Sequence, residues 1–228
     1  HDQSSAASDV YKRQLVPSVN INFSPFFSSG YVHTTLPEGT RKTLDDLIWS
    51  ADRTKKTSLS GIQTDNWLLP EATPLLGPII SELVRTYKDT HKELTDEYEH
   101  EVEKIIRPKY NFDSLSLDTM WVNVTEKYMY NPPHNHQGIY SWVIFHDIPY
   151  SLEEERKDYR VASSNQPYPG CFYFIHPSHS GHTYCQNIEI DYRDNGRMIL
   201  FPARIYHGVH PYYSTDKPRI SLAGNVTL

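Results

Sequence analysis

The sequence lacks most of the features that mark secreted, membrane-spanning and nucleic-acid-binding proteins. Its two cysteines, Cys171 and Cys185, are too few for a disulfide framework, so we expect both to remain thiols. No apolar run reaches membrane-spanning length, and no charged-then-apolar leader opens the chain. The net charge of −6 argues against a nucleic-acid-binding surface. We therefore expect a cytoplasmic protein with no membrane partner and an unfavourable charge for nucleic acid.

Two common kinds of site also lack their signatures. No G-x-S-x-G elbow supports Ser-His-Asp catalysis. Three histidines, His176, His179 and His182, precede Cys185 without the spacing of a zinc finger. We expect these four residues in loops near the mouth of a site rather than around a metal ion.

The sequence contains enough apolar and aromatic residues for the core of one domain. Hydrophobic residues make up 38% of the 228 residues and aromatic residues 13%, a composition that favours β-rich structure. Residues 1–14 are polar and rich in Ser and Ala, and we set them aside as an artefactual or disordered tail. The remainder, 15–228, is predicted to be a single domain, with a helical buttress at about 71–107 and a β core at about 115–228.

The first half of the chain predicts supporting elements. Alternation over residues 15–27 predicts an outer strand of the main sheet. Residues 36–52 predict a capped helical turn or two, and residues 58–69 read as a loop.

The helical buttress carries one apolar face. Pro74 and Pro78 are expected to limit where its first helix starts, and the charged stretch from Lys88 to Glu103 is expected to be a solvated face. The residues at i, i+3, i+4 spacing that define the apolar face are Ile79, Ile80, Leu83, Val84 and Tyr87.

From Leu115 onward the pattern has the period of two that is typical of β-strands. Turn residues punctuate the later strands, and Asn195-Gly196 predicts a hairpin. Many short strands with such turns predict a sandwich or barrel, so the fold class is mainly β with buttressing helices (α+β). On the first strand, the predicted faces are Leu115, Leu117, Thr119, Trp121 and Asn123 on one side and Ser116, Asp118, Met120, Val122 and Val124 on the other.

A histidine pair stands out at residues 131–138, N-P-P-H-N-H-Q-G. Two histidines one residue apart on a strand point to the same face, so His134 and His136 can bind one metal ion together. The two prolines mark the entry into that strand, and residues 139–145, rich in β-branched and aromatic types, predict a buried strand after it.

The C-terminal segment carries the residues that could complete such a site. It contains L-F-P, then H-G-V-H-P with His207, then the strand sequence R-I-S-L-A-G-N with Arg219 and Ser221. Together with the upstream pair, this order of motifs resembles the iron(II)- and 2-oxoglutarate-dependent oxygenases. It is most similar to a poorly characterised family of such oxygenases from marine bacteria and their viruses, over about residues 115–228.

The resemblance implies a double-stranded β-helix, which is a jelly-roll or cupin-like fold, and the cofactors Fe(II) and 2-oxoglutarate. It implies His134, His136 and His207 as metal ligands. Arg219 and Ser221 would hold the distal carboxylate of 2-oxoglutarate, and Asn123 would contact the cosubstrate or the substrate. The implied reaction is hydroxylation of a small-molecule or peptidyl substrate with O₂, with formation of succinate and CO₂. A homodimer through the helical block is a further expectation.

The sequence departs from the usual pattern at position 136, where most members of the superfamily have a carboxylate. Three readings are open: three histidine ligands, a vacancy at the metal filled by water, or a halide as in the radical halogenases. His210 competes with His207 for the distal position. A three-histidine dioxygenase of the cupin type without 2-oxoglutarate is an alternative function, and a non-catalytic β-sheet binding module is another.

Overall fold

The computed structural model describes residues 30–57, 65–90, 115–177 and 181–227. Within these ranges ten strands form two antiparallel sheets. The six strands of the larger sheet are β1 (Val32–Thr35), β2 (Asp65–Leu68), β3 (Ser116–Thr125), β5 (Tyr140–Asp147), β8 (Arg197–Pro202) and β10 (Arg219–Thr227). Their order across the sheet is β1-β8-β5-β10-β3-β2.

The smaller sheet faces the larger one. Its strands are β4 (Asn131–His134), β6 (Phe172–Pro177), β7 (Thr183–Ile188) and β9 (Tyr206–Val209), in the order β4-β9-β6-β7. Strands close in sequence are separated in space, because β8 pairs with β5 in one sheet while the following strand, β9, pairs with β4 and β6 in the other. This alternation between two facing sheets is the architecture of a double-stranded β-helix, so the predicted fold class is confirmed.

An aromatic inner core joins the two sheets. Successive side chains of a strand point to opposite faces, so alternate residues of β5, β6 and β8 meet between the sheets. The buried residues that do so include Val143, Phe145, Phe172, Phe174, Ile199 and Phe201. Phe172 and Phe174 contact each other with ring centroids 5.0 Å apart, and this core leaves room for a cavity at one end.

The outer face of the larger sheet is covered by two helices, α1 (Glu38–Ser50) and α2 (Thr73–Thr90). Two short helices, α3 (Leu152–Lys157) and α4 (Tyr159–Ala162), connect the sheets. Trp67 and Trp142 are each 1% exposed in this outer core, and burying each large apolar side chain stabilises the fold by about 1.5–3 kcal/mol. The helices therefore cover the face of the larger sheet that points away from the inner core.

The predicted helical face of α2 is confirmed, but both helices differ from expectation in extent. Four of its five apolar residues are buried against the sheet, and Ile79 packs at the edge. The helix begins at Thr73 and contains Pro78, which therefore does not limit its start. Proline removes only one backbone hydrogen bond there, and the packing of the apolar face offsets the loss. Helix α1 has 13 residues, and its first residue follows Pro37 without a side-chain cap.

Three strand expectations are corrected. Residues 65–68 form β2 rather than a loop, because they pair with β3 and bury Trp67. Strand β3 does not keep one face throughout, since an irregularity opposite Gly224–Val226 shifts the register and turns Leu117 toward the helices while Asn123 lines the cavity. The dipeptide Asn195-Gly196 leads from the smaller sheet into β8 of the larger one and does not close a hairpin.

The conformation of that dipeptide explains the difference. Asn195 has φ −58° and ψ 122°, and Gly196 has φ 89°, which is the pattern of a type II turn. Hairpins need the mirror-image types, whose twist matches that of paired strands. A Cβ atom at Gly196 would also lie 2.5 Å from Cδ of Arg41, so a larger residue would displace the Arg41 side chain of α1.

Some expectations lie outside the described residues: the tail 1–14, the strand at 15–27, residues 58–64 of the predicted loop at 58–69, and the charged stretch beyond Thr90. The division into a tail and a single domain therefore stays a prediction. No helix of the described ranges is both long enough and apolar enough to cross a bilayer.

Candidate active site

Three histidine side chains meet on the inner side of the smaller sheet. His134 closes β4 and lies directly opposite His207 on β9. His136 follows two residues later, where its backbone N–H donates to the carbonyl oxygen of Ala203 at 2.9 Å. The ring centroids are 4.4 Å apart for His134 and His207, 5.0 Å for His134 and His136, and 5.1 Å for His136 and His207. One nitrogen of each ring lies within 4.8 Å of the other two.

The predicted position of the pair on its strand is wrong, although the convergence is as predicted. Strand β4 ends at His134, so His136 lies beyond it, and both Pro132 and Pro133 lie inside the strand. The prolines are tolerated because β4 is an edge strand with a register shift between Asn131 and His134. A bend of the chain after β4, rather than simple alternation along a strand, brings His136 to the site.

Two of the three rings are held by the same backbone contact. Nδ1 of His134 lies 2.8 Å from the carbonyl oxygen of Pro132, and Nδ1 of His207 lies 3.0 Å from that of Ile205. A carbonyl oxygen only accepts hydrogen bonds, so Nδ1 carries the proton in both rings. The lone pair of each Nε2 is then free for a metal ion. His136 has no such contact recorded for its ring in the described structure; it lies beside Trp121, with centroids 5.9 Å apart.

The surroundings keep two of the three histidines, His136 and His207, neutral. Burial, and then the proximity of His134, lowers the pKa of His136 to about 4. The same two causes lower the pKa of His207 to about 3, against the opposing effect of its hydrogen bond to Ile205. Neutral imidazole is the form that binds metals, so both residues are ready ligands at neutral pH. Three imidazoles on one side of a cavity suit Fe(II), and the residues present therefore fit an iron site.

A buried arginine lines the same cavity. Arg219, the first residue of β10, is 5% exposed. Its Nη1 donates to the hydroxyl oxygen of Tyr150 at 3.3 Å and to the carbonyl oxygen of His210 at 3.4 Å, and its guanidinium lies 5.4 Å from the ring of Tyr212. Within the described part of the chain, no ion pair joins Arg219 to a carboxylate. A buried cation without a counter-ion is costly, so this end of the cavity is suited to bind an anion.

The two tyrosines hold the arginine in place. Tyr150 and Tyr212 stack on each other with centroids 4.8 Å apart. The Tyr150 hydroxyl donates to the carbonyl oxygen of Gly170 at 2.8 Å, which leaves its oxygen free to accept from Arg219. Gly170 has φ 70°, and a Cβ atom there would lie 2.6 Å from the Tyr150 ring. A glycine is therefore needed for the tyrosine to approach the guanidinium.

The other two predicted cosubstrate residues also face the cavity. Ser221 follows Arg219 by two residues on the same face of β10, and Asn123 lies opposite it on β3. Nδ2 of Asn123 is 3.5 Å from Oγ of Ser221, and Oδ1 of Asn123 is buried without a hydrogen-bond partner in the described structure. Among the described residues, no aspartate or glutamate lines the cavity. The described lining residues are Trp121, Asn123, Thr125, Asn131, His134, His136, Ser141, Trp142, Val143, Phe145, Tyr150, Gly170, Phe172, Ile190, Phe201, His207, Val209, Arg219, Ser221 and Ala223.

The structure separates the two competing distal histidines. His207 joins the cluster, whereas Nε2 of His210 lies 3.2 Å from Oδ1 of Asn187 and outside it. His210 contributes its backbone carbonyl to Arg219 instead. His176 bonds Gln186 and is not part of a metal-binding group in the described ranges, while His179 lies outside those ranges.

Sequence reasoning missed Tyr150, Asn131 and Tyr212 as residues of this cavity or its support. Tyr150 and Tyr212 lie in connections that carry no motif, and only their packing around Arg219 distinguishes them. Asn131 stands in the N-P-P-H-N-H stretch, so its proximity to the histidines was a usable signal. Both cysteines are free, Cys171 buried and Cys185 exposed, as expected.

Comparison with known proteins agrees with this geometry. Residues 119–225 match the family described as "Putative 2OG-Fe(II) oxygenase". No curated protein sequence matches the chain. Among solved structures, an oxidoreductase of the 2OG-Fe(II) oxygenase family from Burkholderia pseudomallei has a TM-score of 0.51 at 15% identity, and the match covers 87% of this chain and 85% of that one. A prolyl-4-hydroxylase from Pseudomonas putida has a TM-score of 0.49 at 11% identity, covering 88% and 93%.

At such low identity the Burkholderia structure shows the shared fold alone. The assignment of the family depends on the sequence match over 119–225, which spans both the histidine pair and Arg219. The three-histidine group inside a double-stranded β-helix is consistent with it. Residues 119–225 are therefore similar to the 2OG-Fe(II) oxygenases, whose cofactors are Fe(II) and 2-oxoglutarate.

Proposed function

We propose that this oxygenase is a dioxygenase that hydroxylates a primary substrate while 2-oxoglutarate is converted to succinate and CO₂. The observation that carries the proposal is the presence of two complementary groups in one cavity. The three-histidine cluster and the buried Arg219, which has no counter-ion among the described residues, line the same cavity. A dianion that chelates a metal through one end and presents a carboxylate at the other matches both groups.

The histidines serve as the metal ligands in this proposal. His134 and His207 present Nε2 because their Nδ1 protons are held by backbone carbonyl oxygens, and His136 completes the set. Iron(II) bound there supplies the O₂-dependent oxidation that is coupled to loss of CO₂ from the cosubstrate. The three histidines line the cavity, so the protein's own task would be to keep space beside them open for the cosubstrate and O₂.

The cosubstrate is anchored by the larger sheet. Arg219 can donate two parallel hydrogen bonds to the distal carboxylate, and the Ser221 hydroxyl can add a third. Asn123, whose amide has an unpaired oxygen in the described structure, stands beside Ser221 and can contact the same molecule. The tyrosine pair around the guanidinium excludes water, which strengthens each of these charged hydrogen bonds.

Two observations bear on the alternatives. A cupin-type dioxygenase without 2-oxoglutarate has no use for the buried Arg219, which favours the cosubstrate-dependent reaction. The position of His136, with a ring nitrogen within 4.8 Å of both other ligands, favours three histidines over a halide or water in its place. A small-molecule or peptidyl substrate, and a homodimer, remain proposals on which these contacts do not bear.

The test is an anaerobic titration of the metal-free protein with Fe(II) and then 2-oxoglutarate, monitoring the weak visible metal-to-ligand charge-transfer absorption. We expect the band in the wild type and its loss at moderate cosubstrate concentration in Arg219→Ala. Arg85→Ala, which removes an exposed arginine from α2, is the matched control and should behave as the wild type. Absence of the band in a metal-loaded wild type would contradict the proposal, as would an unchanged band in Arg219→Ala.

A further inference from the structure

A second asparagine faces the anion end of the cavity, from the sheet opposite to Asn123. Asn131, the first residue of β4, lines the cavity, and its Oδ1 atom is buried without a hydrogen-bond partner in the described structure. Unpaired buried polar atoms are rare in native proteins, and each needs an explanation. Two carboxamide oxygens in this state, on facing walls of one cavity, indicate a bound polar molecule between them.

The strand register places Asn131 near Arg219 rather than near the metal. Asn131 pairs with Val209, and the next residue, His210, provides the carbonyl oxygen to which Nη1 of Arg219 donates. His134, three residues further along β4, pairs with His207 at the metal end. Asn131 is therefore displaced along the cavity from the histidines toward the guanidinium.

The backbone at Asn131 is held closely. A Cβ atom at Gly208 would lie 2.7 Å from the Asn131 carbonyl oxygen and 2.3 Å from the Tyr173 hydroxyl, so only a glycine lets Tyr173 pack over this point of the strand pair. Tyr173 is 7% exposed. This contact fixes where the Asn131 side chain starts, and its Oδ1 has no hydrogen-bond partner among the described residues.

We infer that Asn131 is a further cosubstrate-binding residue, which donates from its amide to the distal carboxylate of 2-oxoglutarate from the side opposite to Ser221. The inference rests on the proposed function. It adds a residue of the smaller sheet to the cosubstrate site. A half turn about the last side-chain bond exchanges the amide oxygen for the NH₂ group, which is the donor that an anion requires. Asn123 and Asn131 would then bracket the cosubstrate between the two sheets.

The experiment measures binding by calorimetry to the folded, Mn(II)-loaded full chain, with two ligands. One is 2-oxoglutarate, and the other is 2-oxopentanoate, which has the same chain length but lacks the distal carboxylate. We expect Asn131→Ala to weaken 2-oxoglutarate binding about tenfold, as for loss of one hydrogen bond to a charged group. Asn131→Asp should weaken it further, because the new carboxylate repels the anion and competes for Arg219.

Neither variant should change the affinity for 2-oxopentanoate by more than about twofold, since the contact in question is absent from that ligand. Asn165→Asp makes the same chemical change at an exposed loop position and is the matched control for charge. Mn(II) affinity and melting temperature, measured for each variant, separate a binding defect from misfolding, and Asn131→Gln retains the amide if the smaller side chains destabilise the strand.

The outcomes are distinct. Selective loss of 2-oxoglutarate affinity supports the inference. Unchanged affinity in both Asn131 variants overturns it, and equal losses for the two ligands overturn it as well by showing a merely structural role. Failure of the metal-loaded wild type to bind 2-oxoglutarate would instead reject the proposed function and the inference together.

Discussion

Replacing the three histidines one at a time tests whether the backbone contacts of each ring determine how much that ring contributes to metal affinity. His134 and His207 each have Nδ1 held by a carbonyl oxygen, at 2.8 and 3.0 Å. The His136 ring has no equivalent contact in the described structure, and its aromatic neighbours there are Trp121, His134 and His207. His136 must therefore lose more side-chain freedom than the other two when it binds a metal ion.

The expected loss of metal affinity follows from this difference in side-chain freedom. Immobilising a side chain on binding costs about 0.5–1.5 kcal/mol, which corresponds to about a twofold to tenfold change in affinity. We therefore expect His136→Ala to lose about twofold to tenfold less metal affinity than His134→Ala or His207→Ala. Water can also enter beside Trp121 when the imidazole is removed, which reduces the loss further.

The assay is a competition titration with Co(II) and a fluorescent chelator, carried out on each variant at pH 7.5. His33→Ala, which removes an exposed histidine of β1, is the control and should keep wild-type affinity. Equal losses for all three alanine variants would refute the argument from ring anchoring. No loss at all in His136→Ala would remove this residue from the ligand set and favour a water-filled position.

Three further predictions concern the support of the site. Tyr150→Phe should weaken 2-oxoglutarate binding about threefold to tenfold in calorimetry, because Arg219 loses a hydrogen-bond acceptor; unchanged affinity would show that the 3.3 Å contact contributes nothing. Gly170→Ala should lower the free energy of unfolding by about 2 kcal/mol or more in urea titrations, because it combines a positive φ with a clash against the Tyr150 ring; a stability equal to the wild type would contradict the packing argument. Burial alone would raise the pKa of Asp191, but hydrogen bonds from Arg193 outweigh it and lower the pKa below 3.8, so Asp191→Asn should be less stable than the wild type at pH 7. A depressed pKa stabilises the fold above the unfolded value, so this difference should shrink as the pH falls below about 4, and a difference independent of pH would count against it.

Residue chemistry and short motifs were sufficient to predict the metal group. Histidine side chains are the main neutral metal ligands in proteins, and the spacing of His134 and His136 predicted that both rings would point to one site. His207 was chosen over His210 from the resemblance, and the structure agrees because His207 points inward on β9 while His210 bonds Asn187. Arg219 was predicted from its motif in the same way, and its burial confirms that it is not a surface residue.

Elements whose pattern extends over many residues were also predictable. The apolar face of α2 repeats the helical period several times, and β5 contains a continuous apolar run, so a local exception obscures neither element. Predictions from two or three residues were less successful. Asn195-Gly196 suits two turn types, and only the strands on either side decide between a hairpin and a crossing from one sheet to the other.

The support of the arginine was beyond the reach of sequence patterns. Tyr150 lies 69 residues before Arg219, and Asn123 lies 98 residues before Ser221, yet each pair is in contact. Such contacts follow from which strands pair and in which register, and a shift of one residue would turn every side chain of a strand to the other face. The irregularity in β3 shows this directly. Simple alternation would put Leu117 and Asn123 on the same face, and the irregularity puts them on opposite faces.

The sequence by itself determined the resemblance: a histidine pair, a distal histidine and an arginine motif stand in an order similar to that of the iron(II)- and 2-oxoglutarate-dependent oxygenases. Tertiary structure alone decided how those residues are positioned and buried. It separated His207 from His210, left Arg219 buried without a counter-ion among the described residues, and placed Asn131 across the cavity from Ser221. Residue types are local properties of the chain, whereas burial and counter-ions depend on strands that meet only after the two sheets have packed together.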